Sequence, residues 1–166
     1  VYVDKLAGLS TKVLDTRKPT PGMRILEKEA VRIGGGTNHR MGLYDMIMLK
    51  DNHVDFAGGI TQAIDAANKY LKQEGKRLDI EIEVRNHSEL DLVLAHGGVK
   101  RIMLDNFDIE NTKAAVAKIA GRFETESSGN INLETIRSYA ECGVDFVSVG
   151  ALTHHIKSMD LSLKAI

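Results

Sequence analysis

Six short runs of β-branched and apolar residues, each followed by a stretch with helical spacing, constrain this chain more than any other feature. The runs fall at residues 12–15, 46–49, 79–84, 101–104, 123–127 and 146–149. Between them lie helical segments, as over 60–71, where Ile64, Ala67 and Leu71 share one face, and over 88–96, 109–120 and 133–142. Strands that alternate with helices build a parallel sheet with helical crossovers. Helix ends are also written locally. Thr20-Pro21 is a suitable N-cap and N1 pair ahead of Met23, Leu26, Ala30 and Ile33, and Gly34 to Gly36 end that helix. Ser88 would cap the helix to His96, with Glu89 and Asp91 in the first turn, where the helix dipole favours them. A further helix is expected at the start, over 2–9.

Polar and charged residues gather just after the strands: Arg17 and Lys18, Lys50, Glu83, Asp105, Ser128 and His154. In a βα barrel that rim carries the chemistry, and its last two βα loops commonly hold phosphate. Here those loops are Ser128-Gly129-Asn130 and the stretch from Gly150 to His154. Six strands are too few for a closed eight-stranded barrel. The fold class expected is therefore α/β, an open or incomplete parallel (β/α) barrel of TIM-like kind, with an open doubly wound sheet as the alternative. Residues 79–84 alternate strictly, with Ile80, Ile82 and Val84 on one side and Glu81 and Glu83 on the other. Glu124 and Glu126 repeat that pattern in a later strand.

The formal charge of −1 hides an asymmetry. Residues 1–50 carry nine Lys/Arg against five Asp/Glu, and the rest carry thirteen against eighteen. Arg17, Lys18, His39, Arg40 and Lys50 sit in short polar segments at the ends of elements, an arrangement suited to a small polyanion; a solvated charged face is the plainer alternative. Aromatics are only 5% of the chain, which argues against a nucleic-acid surface. No apolar run approaches the ~18 residues of a membrane span and no stretch reads as a signal peptide, so a cytoplasmic protein is expected. The single Cys142 excludes an internal disulfide, fits a reducing compartment and reads as inert packing.

Several features keep two readings. Gly34 to Gly36 end a helix and also leave backbone N–H groups open to an anion, although they form neither a GxGxxG nor a Walker loop. Lys50 at the mouth of a barrel requires a counter-ion, for which Glu81, Glu83, Glu124 and Glu126 are candidates. Asp105 either faces the rim or helps cap the next helix with Asn106 and Asp108. His53, His87, His96 and His155 lack metal-ligand spacing, and no Ser-His-Asp or Cys-His signature supports nucleophilic catalysis.

Taken together, DTRKPTPGMR, GGGTNHRMGLYDMIMLKDNH, IEVRN, LDNF, ESSGNI and VSVGALTH resemble, in order and over nearly the whole chain, the quinolinate phosphoribosyltransferase family, whose barrels are of the type II phosphoribosyltransferase kind. Pro19 departs from it, standing where a threonine is common. The resemblance implies transfer of phosphoribosyl from phosphoribosyl pyrophosphate to quinolinate with Mg²⁺ and loss of CO₂, giving nicotinate mononucleotide and pyrophosphate for NAD biosynthesis. It also implies an N-terminal α/β sandwich domain, which residues 1–166 do not contain. They are expected to be the barrel domain of a longer enzyme, poorly active alone. A homodimer or higher homo-oligomer is expected, with an arginine of the partner subunit completing the site. By motif match, Arg17, His39, Arg40 and Lys50 would hold the dicarboxylate and Lys18 would reach the pyrophosphate. Glu83 and Asp105 would bind ribose hydroxyls or Mg²⁺, directly or through water, and Ser128, Gly129, Gly150 and His154 would cradle the 5′-phosphate. Lys18, Lys50, Glu83 and Asp105 are the catalytic candidates, with no general base assigned. Two other readings remain: a nicotinate phosphoribosyltransferase, which handles one carboxylate, and a non-catalytic phosphate-binding barrel. The dense cations favour quinolinate, because two adjacent carboxylates suit clustered Arg, Lys and His.

Overall fold

The computed structural model describes residues 1–156 and 159–165. Six strands form one parallel sheet: β1 (Lys12–Leu14), β2 (Ile47–Leu49), β3 (Ile80–Val84), β4 (Arg101–Asp105), β5 (Glu124–Ser128) and β6 (Phe146–Ser148). Their order is β1-β6-β5-β4-β3-β2, which is the sequence of strands met on walking round a barrel, left open between β1 and β2. Thr37 extends the free edge of β1: its N–H donates to Val13 O at 2.9 Å, and its carbonyl accepts from Asp15 N at 3.2 Å. The expected open parallel barrel describes this sheet.

Alternation divides each strand between two environments. Outward residues such as Ile82, Ile102, Val147 and Val13 are buried under helices and join one apolar core with Ile64, Leu90, Ile119 and Ile136. Each such side chain contributes ~1.5–3 kcal/mol on leaving water. The inward face is charged instead: Glu81 stands beside Arg101, Arg101 beside Glu124, and Glu83 beside Met103 beside Glu126. All five residues of β3 are buried, so its acidic face looks into the sheet's concave side rather than at solvent.

The helices are α1 (Tyr2–Lys5), α2 (Arg24–Ile33), α3 (Asp51–Ala57), α4 (Ile60–Gln73), α5 (His87–His96), α6 (Ile109–Ile119), α7 (Ile136–Ala140) and α8 (Ala151–His154). None of the described helices is long and apolar enough to cross a membrane. Several boundaries depart from expectation. The first helix stops at Lys5, and 133–142 contains only the short α7. Asn86, not Ser88, caps α5, accepting from Glu89 N at 2.9 Å; its extended backbone suits a cap, whereas Ser88 already lies inside the helix. Thr20-Pro21 does not start α2, because the Glu27 carboxylate reaches back to accept from Thr20 N at 2.9 Å and holds those residues in a preceding turn. The α3 helix was not anticipated, its first turn being wholly polar; His53 Nδ1 there accepts from Lys50 N at 2.9 Å.

Helix α2 carries the largest correction. Its expected inward face, Met23, Leu26, Ala30 and Ile33, is exposed, and Glu27, Lys28 and Val31 point in. The cause is a salt bridge behind β1. Lys28 and Asp15 are both fully buried, and Lys28 Nζ donates to the Asp15 carboxylate and to His39 O, the latter at 2.9 Å. Asp15 also accepts from His39 N at 2.8 Å and Asn38 Nδ2 at 2.6 Å. Removing one partner of a buried pair strands the other charge. We expect Lys28→Met to destabilise the fold by ~3–5 kcal/mol, read as a lower urea midpoint at unchanged slope.

Candidate active site

The strands' C-terminal ends surround an open cavity of about 920 Å³. All eleven residues singled out from sequence line it: Arg17, Lys18, His39, Arg40, Lys50, Glu83, Asp105, Ser128, Gly129, Gly150 and His154. Strand ends converge there because a parallel sheet points every C-terminus the same way, and the βα turns that follow carry the polar residues.

The cations occupy one side. Among the described residues, Arg17, Lys18 and Arg40 have no carboxylate within ion-pair distance, and the buried Arg17 Nε has no partner. Burial, followed by the neighbouring positive charge of Arg17, pushes the Arg40 guanidinium below its usual range. Two like charges held together with no carboxylate in ion-pair contact, Glu81 and Asp45 acting on Arg40 only from farther off, make a receptor for an anion. Lys50 differs, since its Nζ meets Glu83 Oε2 at 2.8 Å. That contact decides which carboxylate partners it. Glu81 and Glu126 are engaged by His39 and Arg101, and Glu124 by Arg101 and Lys100.

Asp105 lies at the end of β4 and accepts from Asn106 Nδ2 at 2.8 Å; among the described residues its other oxygen accepts nothing. The helix cap belongs to Asp108, which accepts from Asn111 N at 2.8 Å, so Asp105 faces the cavity rather than capping α6. Ser128-Gly129-Asn130 after β5 and Gly150 after β6 form further turns against the cavity, the latter beside the Arg17–Lys18 segment, where Thr153 Oγ1 donates to Lys18 O at 3.3 Å. A Cβ on Gly150 would stand 2.9 Å from His154 Cδ2, so glycine there lets the imidazole fold back over the loop.

His39 is placed differently from its expected role as a direct carboxylate ligand. Its Nε2 lies 3.0 Å from Glu81 Oε2 and 3.4 Å from Glu126 Oε2, as ion-pair contacts and not as aligned hydrogen bonds. Its Nδ1 accepts from Arg40 N at 2.7 Å. The ring therefore seats Arg40 and forms part of the floor. Arg101 completes that floor, 3.2 Å from Glu126 and 3.0 Å from Glu124, with its guanidinium 4.0 Å above the Phe146 ring. The donor atoms of His39, Glu81 and Glu126 all lie within 4.8 Å of one another, a spacing that could hold a metal ion. Because Nδ1 faces a donor, however, the neutral ring carries its proton on Nε2, the nitrogen a metal would need bare. The donor set fits a shared proton better than a metal.

Sequence reasoning placed Asn130 in an expected phosphate loop, Glu126 only as a counter-ion for Lys50 and Asn106 only as a helix-cap candidate; it missed Met48 and Met103 on the walls, and it set aside His155, which lines the cavity edge-on to His154. The alternation of β3 and β5 was the available signal for the buried glutamates. Cys142, by contrast, is buried as expected, and burial pushes its thiol up.

A family description, quinolinate phosphoribosyl transferase, C-terminal domain, matches residues 1–164. The chain belongs to the quinolinate phosphoribosyltransferase family. This phosphoribosyltransferase domain is 48% identical to the chloroplastic nicotinate-nucleotide pyrophosphorylase [carboxylating] of Arabidopsis thaliana, over 92% of the chain and 48% of that protein. It superposes on NadC from Streptococcus pyogenes with a TM-score of 0.91 at 44% identity, over 99% of the chain and 56% of that structure. The nicotinate-nucleotide pyrophosphorylase of Francisella tularensis gives 0.90 at 45% identity, over 97% and 56%. The chain thus spans about half the length of the relatives it matches.

The floor of the cavity predicts a pH dependence. Burial would lower the His39 pKa, but the Glu126 and Glu81 carboxylates outweigh it and raise it from 6.5 to about 9. Burial first, and then the charge of Glu126, raises Glu81 from 4.5 to about 7. Burial would also raise Glu126, yet the adjacent His39 holds it below the usual range. A group whose native pKa exceeds its unfolded value stabilises fully below the unfolded value, and that contribution is lost as pH rises through the native one. The window is 4.5 to about 7 for Glu81 and 6.5 to about 9 for His39, so both slopes have the same sign. The melting temperature should fall as pH rises from 6.5 to 9, by less than the two carboxylates alone would give, because the Arg40 N–H on Nδ1 favours the neutral ring. Glu81→Gln should flatten that fall; an unchanged slope in the variant would remove the floor as its source.

Proposed function

We propose that this chain transfers phosphoribosyl from phosphoribosyl pyrophosphate to quinolinate and releases CO₂, forming nicotinate mononucleotide and pyrophosphate in NAD biosynthesis. The observation that carries the reading is the set of cations that, among the described residues, have no carboxylate in ion-pair contact, Arg17, Lys18 and Arg40, sharing a cavity with the carboxylates Glu83 and Asp105. Family membership and the relatives' names as carboxylating pyrophosphorylases support it.

Arg17, Arg40 and Lys50 hold the two adjacent carboxylates of quinolinate, with His39 seating Arg40 from below. Lys18 meets the pyrophosphate, and Ser128, Gly129, Gly150 and His154 receive the 5′-phosphate. Glu83 and Asp105 face the ribose. Their oxygens also suit Mg²⁺, a hard cation that prefers oxygen ligands, and the Asp105 oxygen left free by Asn106 fits that use. When bound, Mg²⁺ neutralises charge on the departing pyrophosphate.

As the C1–O bond to pyrophosphate breaks, positive charge grows on the ribose, and the carboxylates of Glu83 and Asp105 stabilise it. The pyridine nitrogen forms the new bond to C1. The resulting ring cation accepts the electron pair left when the neighbouring carboxylate departs as CO₂, and a proton then replaces it on carbon. The chain contributes chiefly position and electrostatics. Ile25, Leu26 and Ile33 on α2 are 75%, 63% and 75% exposed, which supports a covered face there. On this reading residues 1–166 are the barrel domain of a longer cytoplasmic enzyme, a homodimer or larger homo-oligomer in which a partner's arginine completes the quinolinate pocket.

Calorimetric titration of quinolinate and of nicotinate, with phosphoribosyl pyrophosphate and Mg²⁺ present, tests the reading on the protein expressed from its whole gene. Quinolinate should bind more tightly, and Arg40→Ala should weaken it ~10–100-fold while changing nicotinate less, as expected for loss of a charge-assisted hydrogen bond. Equal binding of both acids would instead favour a single-carboxylate enzyme. Asp105→Asn should lower turnover ~10²-fold or more with little loss of quinolinate affinity; a binding module would have no turnover to lose.

A further inference from the structure

We propose that Asn106 is a positioning residue, which sets the Asp105 carboxylate against the Ser128–Asn130 turn and so fixes the spacing between ribose and phosphate subsites. The assignment of those subsites rests on the reading above; the clamp itself rests on geometry. Strand β4 ends at Asp105, paired with Ser128 of β5. One residue on, Asn106 N donates to Ser128 O at 2.9 Å, so the two chains stay locked just past the sheet. Asn106 then turns into the left-handed region at φ 54°, where a side chain other than that of Asn, Asp or Gly is disfavoured.

Its side chain works in two directions. Nδ2 donates to Asp105 Oδ2 at 2.8 Å, and Oδ1 accepts from Asn130 Nδ2 at 3.4 Å. Between them lies Gly129, at φ 101°. A Cβ on Gly129 would stand 3.0 Å from Asn106 N and nearer still to the side-chain oxygen, so the asparagine occupies the space a side chain there would need. Asn130 is also left-handed, at φ 52°. Two left-handed asparagines and a left-handed glycine from consecutive βα turns thus meet at one point, linked by side-chain amides, on the wall of the cavity. A carboxylate held through one oxygen keeps its plane, and its second oxygen stays directed by that plane. Among the described residues, Glu83 has no such restraint apart from Lys50.

A plainer role for Asn106 would be to supply its backbone angle alone. Glycine separates the two, since it accepts that angle without strain and removes the amide. On the protein expressed from its whole gene, Asn106→Gly should keep its melting temperature within a few degrees. It should lower kcat/KM for phosphoribosyl pyrophosphate ~10–100-fold and leave quinolinate affinity within twofold. In the Asp105→Asn background the same change should have under a threefold further effect, because a residue acting through Asp105 is not additive with its loss. Asn106→Asp, which keeps shape and angle but turns a donor into a second carboxylate, should do no better than glycine. Wild-type turnover with Asn106→Gly within twofold overturns this proposal and leaves the proposed reaction intact. If the wild type binds ribose 5-phosphate but does not turn over quinolinate, the reaction is wrong; the clamp then stands only if Asn106→Gly weakens ribose 5-phosphate at least fivefold. Independently of any ligand, a crystal structure of Asn106→Gly with the Asp105 carboxylate unmoved also overturns it.

Discussion

The Asp15 carboxylate holds together the parts on which the site depends. It closes β1, lies wholly out of solvent, and accepts from the Lys28 ammonium of α2, the His39 backbone and the Asn38 side chain. A buried ion pair is not by itself a source of stability, because desolvation cancels most of its attraction. What this one supplies is geometry. Three N–H donors from two separate segments can satisfy one carboxylate only when α2 and residues 37–40 pass behind β1 in one arrangement. That arrangement sets His39 at the cavity floor and, through the Arg40 N–H on its Nδ1, sets Arg40 at the wall. The first third of the chain is therefore organised by a polar contact, while the helices covering β2 to β6 are organised by apolar burial.

The sheet reverses the usual economy of a barrel. Its convex face is aliphatic, and its concave face holds Glu81, Arg101, Glu124 and Glu126 in neighbouring positions. Arg101 meets all three glutamates, and His39 meets two of them. A charged floor of this kind is nearly neutral overall but strongly ordered. Groups bound above it meet fixed dipoles rather than water that must reorient, which is the condition under which electrostatic stabilisation is largest. A floor of aliphatic side chains would seal the barrel equally well, but it could not fix the ring of His39.

The strands were legible because β-branched runs separated by helical spacing admit few architectures, and strand ends then place residues such as Lys50, Glu83 and Asp105 on one rim without further information. The orientation of α2 was not legible. Periodicity reports only that apolar residues share a face, and a face covered by another surface reads the same as one turned to its own core. Lys28 looked like any helix-surface lysine, and its partner lies thirteen residues away across a loop. The role of His39 escaped for a similar reason, since its contacts come from β3 and β5. Asn106 was visible only as a candidate partner of Asp105 in capping the next helix, because its contact with Gly129 and Asn130 exists only once β4 and β5 are paired.

Separation of charge along the cavity explains how it could sort two anionic substrates. A pocket that is positive throughout would accept either substrate's anionic groups at either end. Here Arg17 and Arg40 stand close enough to disfavour one another, so a dianion entering between them relieves repulsion in addition to gaining attraction. Glu83 and Asp105 disfavour carboxylates and phosphates on their side of the cavity unless a cation intervenes. On the proposed function an aromatic diacid would be directed to the arginines, and the carbon that becomes positive during the transfer would face the acids. The pairing of Lys50 with Glu83 at 2.8 Å joins the two halves. On the proposed function, a substrate carboxylate drawing Lys50 toward itself would weaken that pair and leave the Glu83 carboxylate less neutralised and better able to stabilise positive charge on the ribose. Binding of the acid and preparation of the acidic wall would then be one electrostatic event.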